Sequence, residues 1–328
     1  MNNVMKAVYI EQHGAAEVLK YGDLPTPEPA AGQVLVKVHA AGVNFIDTYQ
    51  RSGLYKIPLP AILGSEGAGT VEKVGEGVTG FKIGDAVAWG TARGSYAQFA
   101  AVPASALVRI PDGLDFKQAA AAMLQGMTAH YLTHSTFPLK QGHTALVHAA
   151  AGGTGRLIVQ MAKMASARVI ATAGSPEKAQ VAREAGADEV ILYRDQDFAA
   201  ETRRLTNGAG VDVAYDSVGA ATFLKSIDSL KPRGMMVTFG NASGPVPAIE
   251  PLLLSQKGSL FLTRPTLAHY TQTREELEWR AGGVLRWIAE KKLTLKIDHV
   301  YPLAEAAQAQ RDLEGRKTTG KLILLPAE

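Results

Sequence analysis

The chain of 328 residues contains no cysteine. That absence excludes disulfides, a thiolate nucleophile and any zinc site built on thiolate ligands. No apolar run reaches the roughly 18 residues that a membrane-spanning helix needs. The N-terminus, MNNVMKAVYIEQHG, has none of the three parts of a signal peptide: a basic start, an apolar middle and a small-residue cleavage site. A cytoplasmic location is the expectation. Charge of one sign is also scarce, because 34 Lys and Arg stand against 31 Asp and Glu, a net of +3. No basic run is longer than a pair; Lys291-Lys292 and Arg316-Lys317 read as solvated charges, and no stacking-aromatic motif accompanies them. The sequence therefore gives no footing for nucleic-acid binding or a membrane partner.

What the chain does have is size and glycine. At 328 residues it exceeds the length at which single cores stop growing, so two domains are expected. Its organising stretch is residues 144–165, TALVHAAAGGTGRLIVQMAKMA. The apolar run 145–151 reads as a strand buried on both faces, Gly152, Gly153 and Gly155 follow, and Leu157, Met161, Met164 and Ala165 recur at helical spacing. A strand, glycine turn and helix in this order bring backbone N–H groups and a positive helix end to one point, which favours a phosphate. The order Ala149, Gly152, Gly155 departs from G-x-G-x-x-G, so by itself the motif fits a close-packing turn equally well.

The surroundings decide between these readings. Six short apolar strands are expected, at 146–149, 169–173, 190–193, 213–218, 235–240 and 259–263, with helices such as 176–185 and 220–230 between them. Such alternation is the signature of an α/β fold, a doubly wound Rossmann sheet of six parallel strands. Before it, residues 6–111 read as a compact β-domain, with alternating strands at 34–40 and 69–74 and glycines at 64, 67, 69, 75, 77, 80 and 84. After Pro265 come a helix at 273–293 opening on a capping box (Thr273, Glu276), a strand-like IDHVYPL, a helix ending at Gly315 and a last strand KLILLP. This tail is too short for its own core and is expected to return to the β-domain. The expected domains are thus 1–124 with 267–328, and 125–266, with the cofactor in the cleft between them.

The second strand of the sheet ends Thr172-Ala173-Gly174-Ser175, without the carboxylate that commonly holds a ribose 2′-hydroxyl. Ser175 reads as an N-cap and Pro176 as the first helical residue, which puts the cation Lys178 in the first turn, the unfavourable end of the helix dipole. A bound 2′-phosphate explains that placement, so NADPH is expected rather than NADH. Glu177 lies inside the helix and is expected to point away. Tyr193 and Arg316 are further candidates for the adenosine end.

Several motifs together resemble the zinc-free branch of the medium-chain dehydrogenase/reductase family, specifically its zeta-crystallin-like NADPH:quinone oxidoreductases. They are GVNFIDTYQRSGLY (42–55), LGSEGAGTVEKVGEGV (63–78), AAMLQGMTA (121–129), HAAAGGTG (148–155), YDSVG (215–219), FGNASG (239–244), GSLFLTRP (258–265) and TTGKLIL (318–324). The resemblance implies a β-rich GroES-like catalytic domain beside the Rossmann domain. Zinc-dependent relatives carry a Cys where Asn44 stands here. His39, Asp47 and Glu66 are the remaining metal-ligand types nearby, and no metal is expected. By resemblance, Asn44 and Gln125 line the nicotinamide and acceptor region, with Tyr49 and Thr128 near the cofactor. Gly152, Gly153 and Thr154 meet the pyrophosphate, and Gly174, Ser175, Lys178 and Tyr193 the 2′-phosphate end. Ser217, Phe239, Gly240 and Arg264 fall on the nicotinamide side. Asp47 and Tyr55 either hydrogen-bond a quinone oxygen or, respectively, cap a turn and pack the lobe interface.

The resemblance implies reduction of a small-molecule quinone by hydride from NADPH. An NADPH-dependent enone or alkenal reductase shares the fold, the cofactor and the lack of zinc. A non-enzymatic alternative is an NADPH-binding, RNA-associated or structural protein. The last strand of the sheet, 258–263, has an apolar edge, and a homodimer formed through that edge is expected.

Overall fold

The β-branched and apolar residues Val34, Leu35, Val36 and Val38 make a strand buried over most of its length, and the glycine-spaced chain after it returns to pair along its edges. The computed structural model describes residues 4–327. It resolves into two units, Met1–Met127 with Thr271–Glu328, and Thr128–Tyr270. The first opens with β1 (Val4–Ile10), β2 (Lys20–Pro25), β3 (Gln33–Val43), α1 (Phe45–Ser52) and β4 (Ala61–Ile62). It continues through β5 (Glu66–Val74), β6 (Ala86–Trp89), β7 (Phe99–Pro103) and β8 (Val108–Arg109) into α2 (Phe116–Tyr131), within which the division between units falls.

The second unit alternates strand and helix: β9 (Thr144–Val147), α3 (Gly153–Met164), β10 (Arg168–Ala173), α4 (Pro176–Glu184), β11 (Glu189–Leu192) and α5 (Phe198–Leu205). Then follow β12 (Val211–Asp216), α6 (Phe223–Asp228), β13 (Leu230–Thr238), α7 (Leu252–Gln256) and β14 (Phe261–Thr263). All the pairings are parallel, in the order β11-β10-β9-β12-β13-β14. This is the doubly wound order, and the direction of winding reverses between β9 and β12, where such sheets take their ligands. Leu146, Ile170, Val211, Ala214 and Met236 from four strands, with Phe198, Phe223 and Ile227 from the helices, make its core.

The chain then completes the first unit. α8 (Arg274–Leu277) runs through a π-turn at Glu278–Gly282 into α9 (Gly283–Ala289), followed by β15 (Ile297–Pro302), α10 (Ala306–Glu314) and β16 (Lys321–Leu325). β16 pairs antiparallel with β3, joining Leu322, Ile323 and Leu324 to Val43, Gly42 and Ala41. The tail thus supplies two strands of a seven-stranded sheet ordered β15-β16-β3-β5-β6-β8, with β7 also on β3. Arg51 of α1, a buried side chain, reaches α10: its guanidinium donates to Gln310 Oε1 at 2.7 Å and to both oxygens of Glu314 at 2.8 and 3.1 Å.

Three expectations are corrected. The first strand of the parallel sheet stops at Val147 rather than Ala151, because Ala149 takes a left-handed conformation (φ 50°) and turns the chain toward α3. Beyond the buried His148, residues 149–151 are nonetheless apolar, and Ala150 and Ala151 remain buried. α6 starts at Phe223, the preceding residues being a loop tied to Asp216, and the helix expected over 273–293 is interrupted by the π-turn and ends at Ala289. Among the described residues no helix is long and apolar enough to cross a membrane.

Candidate active site

In the second unit the residues singled out from the sequence stand at the carboxyl ends of the strands. After β9, Gly152 is the N-cap of α3, and no side chain caps this helix. The first-turn N–H groups of Gly153 and Thr154 are therefore not consumed by a side-chain cap, the arrangement an anion occupies. Gly155 has to be glycine: a Cβ there would overlap the Ala149 carbonyl oxygen and lie 2.9 Å from Ala150 Cα, so α3 could not approach the turn. Below the turn, His148 is buried, its Nδ1 3.0 Å from Thr172 Oγ1 and its Nε2 2.8 Å from Ser226 Oγ. Burial holds this imidazole below its ordinary pKa, against the opposing charge of Asp216.

At the end of β10, Ser175 caps α4 by accepting a hydrogen bond from the Lys178 backbone N–H at 3.3 Å. Tyr193, just beyond β11, leans over Gly174, where an added Cβ would sit 2.9 Å from its hydroxyl. Gly174, Ser175, Lys178 and Tyr193 are thus brought together. Glu177 differs from expectation: instead of pointing away, it accepts a hydrogen bond from the Ser175 hydroxyl, which lowers its carboxyl pKa. Beyond the switch point, Asp216 accepts from the backbone N–H groups of Val218 and Gly219 at 2.7 and 3.0 Å and from Thr222 Oγ1 at 2.7 Å, pinning the loop that carries Ser217. Phe239 N–H donates to Asp216 O at 2.8 Å, Arg264 Nη1 donates to Gly240 O at 3.3 Å, and a Cβ on Gly240 would overlap the Ser217 backbone. Ser217, Phe239, Gly240 and Arg264 form one group. Thr128 lies buried on α2 at the start of this unit.

In the first unit the N-terminus of α1 gathers a second group. Asp47 has no exposed surface. Its carboxylate accepts from Asn44 N–H at 2.9 Å, Tyr96 hydroxyl at 2.9 Å, and Ser65 N–H and Oγ at 3.1 and 3.0 Å. Both oxygens are committed, so of the two roles open to Asp47 the structure gives it the cap. Burial pushes its pKa up to about 6, although these donors and the Lys321 charge pull the other way. Glu66, also without exposed surface, accepts from Asn44 Nδ2 at 2.8 Å, from Leu124 N–H at 2.6 Å and from Lys321 Nζ. The bond to Leu124 ties α2 down beside Gln125. Tyr49 packs its ring edge-on to Tyr55, centroids 5.2 Å apart, and Tyr55 is partly exposed. His39, by contrast, stacks on Phe116 and bonds Thr70, so His39, Asp47 and Glu66 are each engaged with protein groups. Arg316 lies in this unit, in the turn after α10 and in a left-handed conformation. Lys321, Ser65, Tyr96 and Arg51 went unselected in the sequence. The one available signal was a lysine opening the otherwise apolar strand KLILL.

The description "Alcohol dehydrogenase GroES-like domain" fits residues 30–112 and "Zinc-binding dehydrogenase" residues 153–290. A quinone oxidoreductase of Pseudomonas aeruginosa is 47% identical over 98% of this chain and 99% of its own length. The chain belongs to the quinone oxidoreductase family of medium-chain dehydrogenases/reductases. Among solved family members, Escherichia coli quinone oxidoreductase complexed with NADPH superposes with a TM-score of 0.96 at 42% identity, covering 98% of this chain and 100% of that one. A 2-haloacrylate reductase from Burkholderia is 41% identical over 98% of this chain and 99% of its own. The quinone oxidoreductase fold expected from the sequence, a GroES-like domain and a six-stranded Rossmann sheet, is the fold observed.

The elevated pKa of Asp47 has a consequence for stability. Between its ordinary value near 3.8 and its folded value of about 6, the folded protein holds a proton that the unfolded chain has released. Stability contributed by this group is accordingly highest below pH 4, falls as pH rises through that window and is lowest above pH 6. Measured by urea denaturation, the unfolding free energy of the wild type relative to Asp47→Asn falls between pH 4 and pH 7 by up to about 3 kcal/mol. A difference that is flat with pH contradicts the assignment.

Proposed function

We propose that this protein reduces quinones with NADPH and without a metal. The reading rests above all on full-length similarity to quinone oxidoreductases, one of them solved with NADPH. The side chains fit that cofactor: the uncapped N-terminus of α3 suits the pyrophosphate, and the end of β10 offers Ser175, Lys178 and Tyr193 with no carboxylate on the strand to repel a 2′-phosphate. Lys178, in the first turn of α4, supplies the cation. When bound, NADPH supplies a hydride from C4 of its nicotinamide. Gly152, Gly153 and Thr154 bind the pyrophosphate, while Ser217, Phe239, Gly240 and Arg264 orient the nicotinamide side. In the first unit, Asn44 and Gln125 line the nicotinamide and acceptor region, Tyr49 and Thr128 stand near the cofactor, and Tyr55, partly exposed, meets the acceptor. Asp47 serves by holding the N-terminus of α1. Arg316 remains a candidate for the adenosine end. A reduced quinone is a stabilised oxyanion that water protonates, so no dedicated acid is required.

The 2-haloacrylate reductase among the relatives supports a second reading, hydride delivery to an activated carbon–carbon double bond. Loss of NADPH absorbance with a large aromatic quinone, a small benzoquinone and 2-chloroacrylate separates the two. Quinone turnover is expected; turnover of chloroacrylate alone transfers the function to alkene reduction. Lys178→Ala raises KM for NADPH about 10- to 100-fold, the worth of a charge-assisted hydrogen bond, and leaves KM for NADH unchanged. Equal losses for both nucleotides would remove the 2′-phosphate role.

We also propose a homodimer. β14 is the last strand of the sheet, no strand among the described residues pairs with its outer edge, and its Phe261 is 58% exposed. Two copies pairing these edges about a two-fold axis cover both at once. Light scattering gives twice the chain mass for the wild type and the monomer mass for Leu262→Lys; a monomeric wild type removes the proposal.

A further inference from the structure

Lys321, the first residue of β16, is 2% exposed. Its Nζ donates to Asn44 Oδ1 at 2.7 Å and to Glu66 Oε2. The same Glu66 oxygen accepts from Asn44 Nδ2 at 2.8 Å, so cation, carboxylate and amide close a three-membered ring of hydrogen bonds. Gly42 makes room for it: a Cβ there would overlap the Glu66 carboxylate and stand 2.7 Å from Lys321 Cε. The other Glu66 oxygen holds the Leu124 N–H, beside Gln125.

A buried ion pair is a poor device for stability alone, because desolvation of both charges offsets their attraction and apolar side chains of similar size do as well. What this pair does is set the polarity of Asn44. With the amide turned over, its NH2 would face the ammonium and its carbonyl the carboxylate, two repulsive contacts in place of two attractive ones. The carbonyl end is thereby taken by Lys321, one amide hydrogen goes to Glu66, and the other, in a side chain 3% exposed, makes a long hydrogen bond of 3.4 Å to Gly42 O that a ligand's acceptor can replace. We propose that Lys321, with Glu66, is a positioning residue for the reaction: it fixes Asn44 so that the amide presents an N–H donor, and it holds the Leu124–Gln125 segment beside it. The proposal rests on the reading above that Asn44 lines the nicotinamide and acceptor region.

The test compares the wild type, Asn44→Ala, Lys321→Met, the charge-balanced pair Lys321→Met/Glu66→Gln, and each of the latter two combined with Asn44→Ala. Lys321→Met is expected to lower kcat with quinone about 10- to 100-fold, the usual effect of losing a group that orients a functional one. The KM for NADPH is expected to stay within about two-fold, since the groups proposed for the pyrophosphate and the 2′-phosphate lie in the other unit. In the Asn44→Ala background the same substitution changes kcat less than two-fold, because its effect passes through Asn44. Should Lys321→Met fail to fold, the charge-balanced pair carries the same comparison. A second readout needs no turnover: with five asparagines in the chain, selective 15N labelling resolves the Asn44 side-chain NH2 signal in the free protein, and Lys321→Met shifts and broadens it. Multiplicative losses in the combined variants, or an unshifted Asn44 signal, overturn the proposal alone. If Asn44→Ala itself leaves kcat and KM unchanged, the reading of Asn44 falls and the positioning role falls with it.

Discussion

Two carboxylates with no exposed surface, Asp47 and Glu66, constrain the first unit more than any other feature. A buried charge must be met by donors or neutralised, and here the donors come from five separate parts of the chain. Asn44 is local to Asp47, Ser65 precedes β5, Tyr96 lies between β6 and β7, Leu124 is on α2, and Lys321 opens the last strand. Meeting those charges requires β16 to lie on β3 and α2 to pass close to β5. The return of the tail is accordingly more than extra sheet, since it brings the cation on which the Glu66 site depends. Arg51, reaching from α1 to Gln310 and Glu314, secures the same tail a second time.

The second unit solves a different problem. Its sheet is parallel and covered by helices, so its strands are mostly apolar, and the polar groups that shape the site stand at or beyond the strand ends. There Asp216 and His148 hold two loops in place from inside, while α3 begins without a side-chain cap. A protein that leaves such a helix start open to a phosphate, with a cation in the first turn of the neighbouring helix, is built around a nucleotide that carries more than one phosphate group.

The parallel sheet was legible in the sequence because doubly buried strands give unbroken apolar runs, and six of them alternating with helices admit few topologies. The end of β9 was not, since a buried turn is as apolar as a buried strand and only the backbone angle at Ala149 tells them apart. Asn44 and Asp47 are reached through the family resemblance rather than through a local pattern. The commitment of both Asp47 oxygens was not legible, because Ser65 and Tyr96 are 18 and 49 residues away. Lys321 lies 255 residues from Glu66, and no local pattern announces a partner at that distance. Glu177 was misjudged for a local reason: a side chain in the first turn of a helix has the reach to turn back onto the N-cap hydroxyl.

The most direct measurement of the account is a single turnover of quinone with NADPH bearing deuterium at both C4 positions, followed by rapid-mixing absorbance with parallel electron paramagnetic resonance. Transfer of a hydride to the quinone predicts a rate slowed by the label, one hydroquinone formed per NADPH consumed, and no semiquinone signal. A rate indifferent to deuterium, accompanied by a semiquinone, would contradict it and make the protein a one-electron reductase.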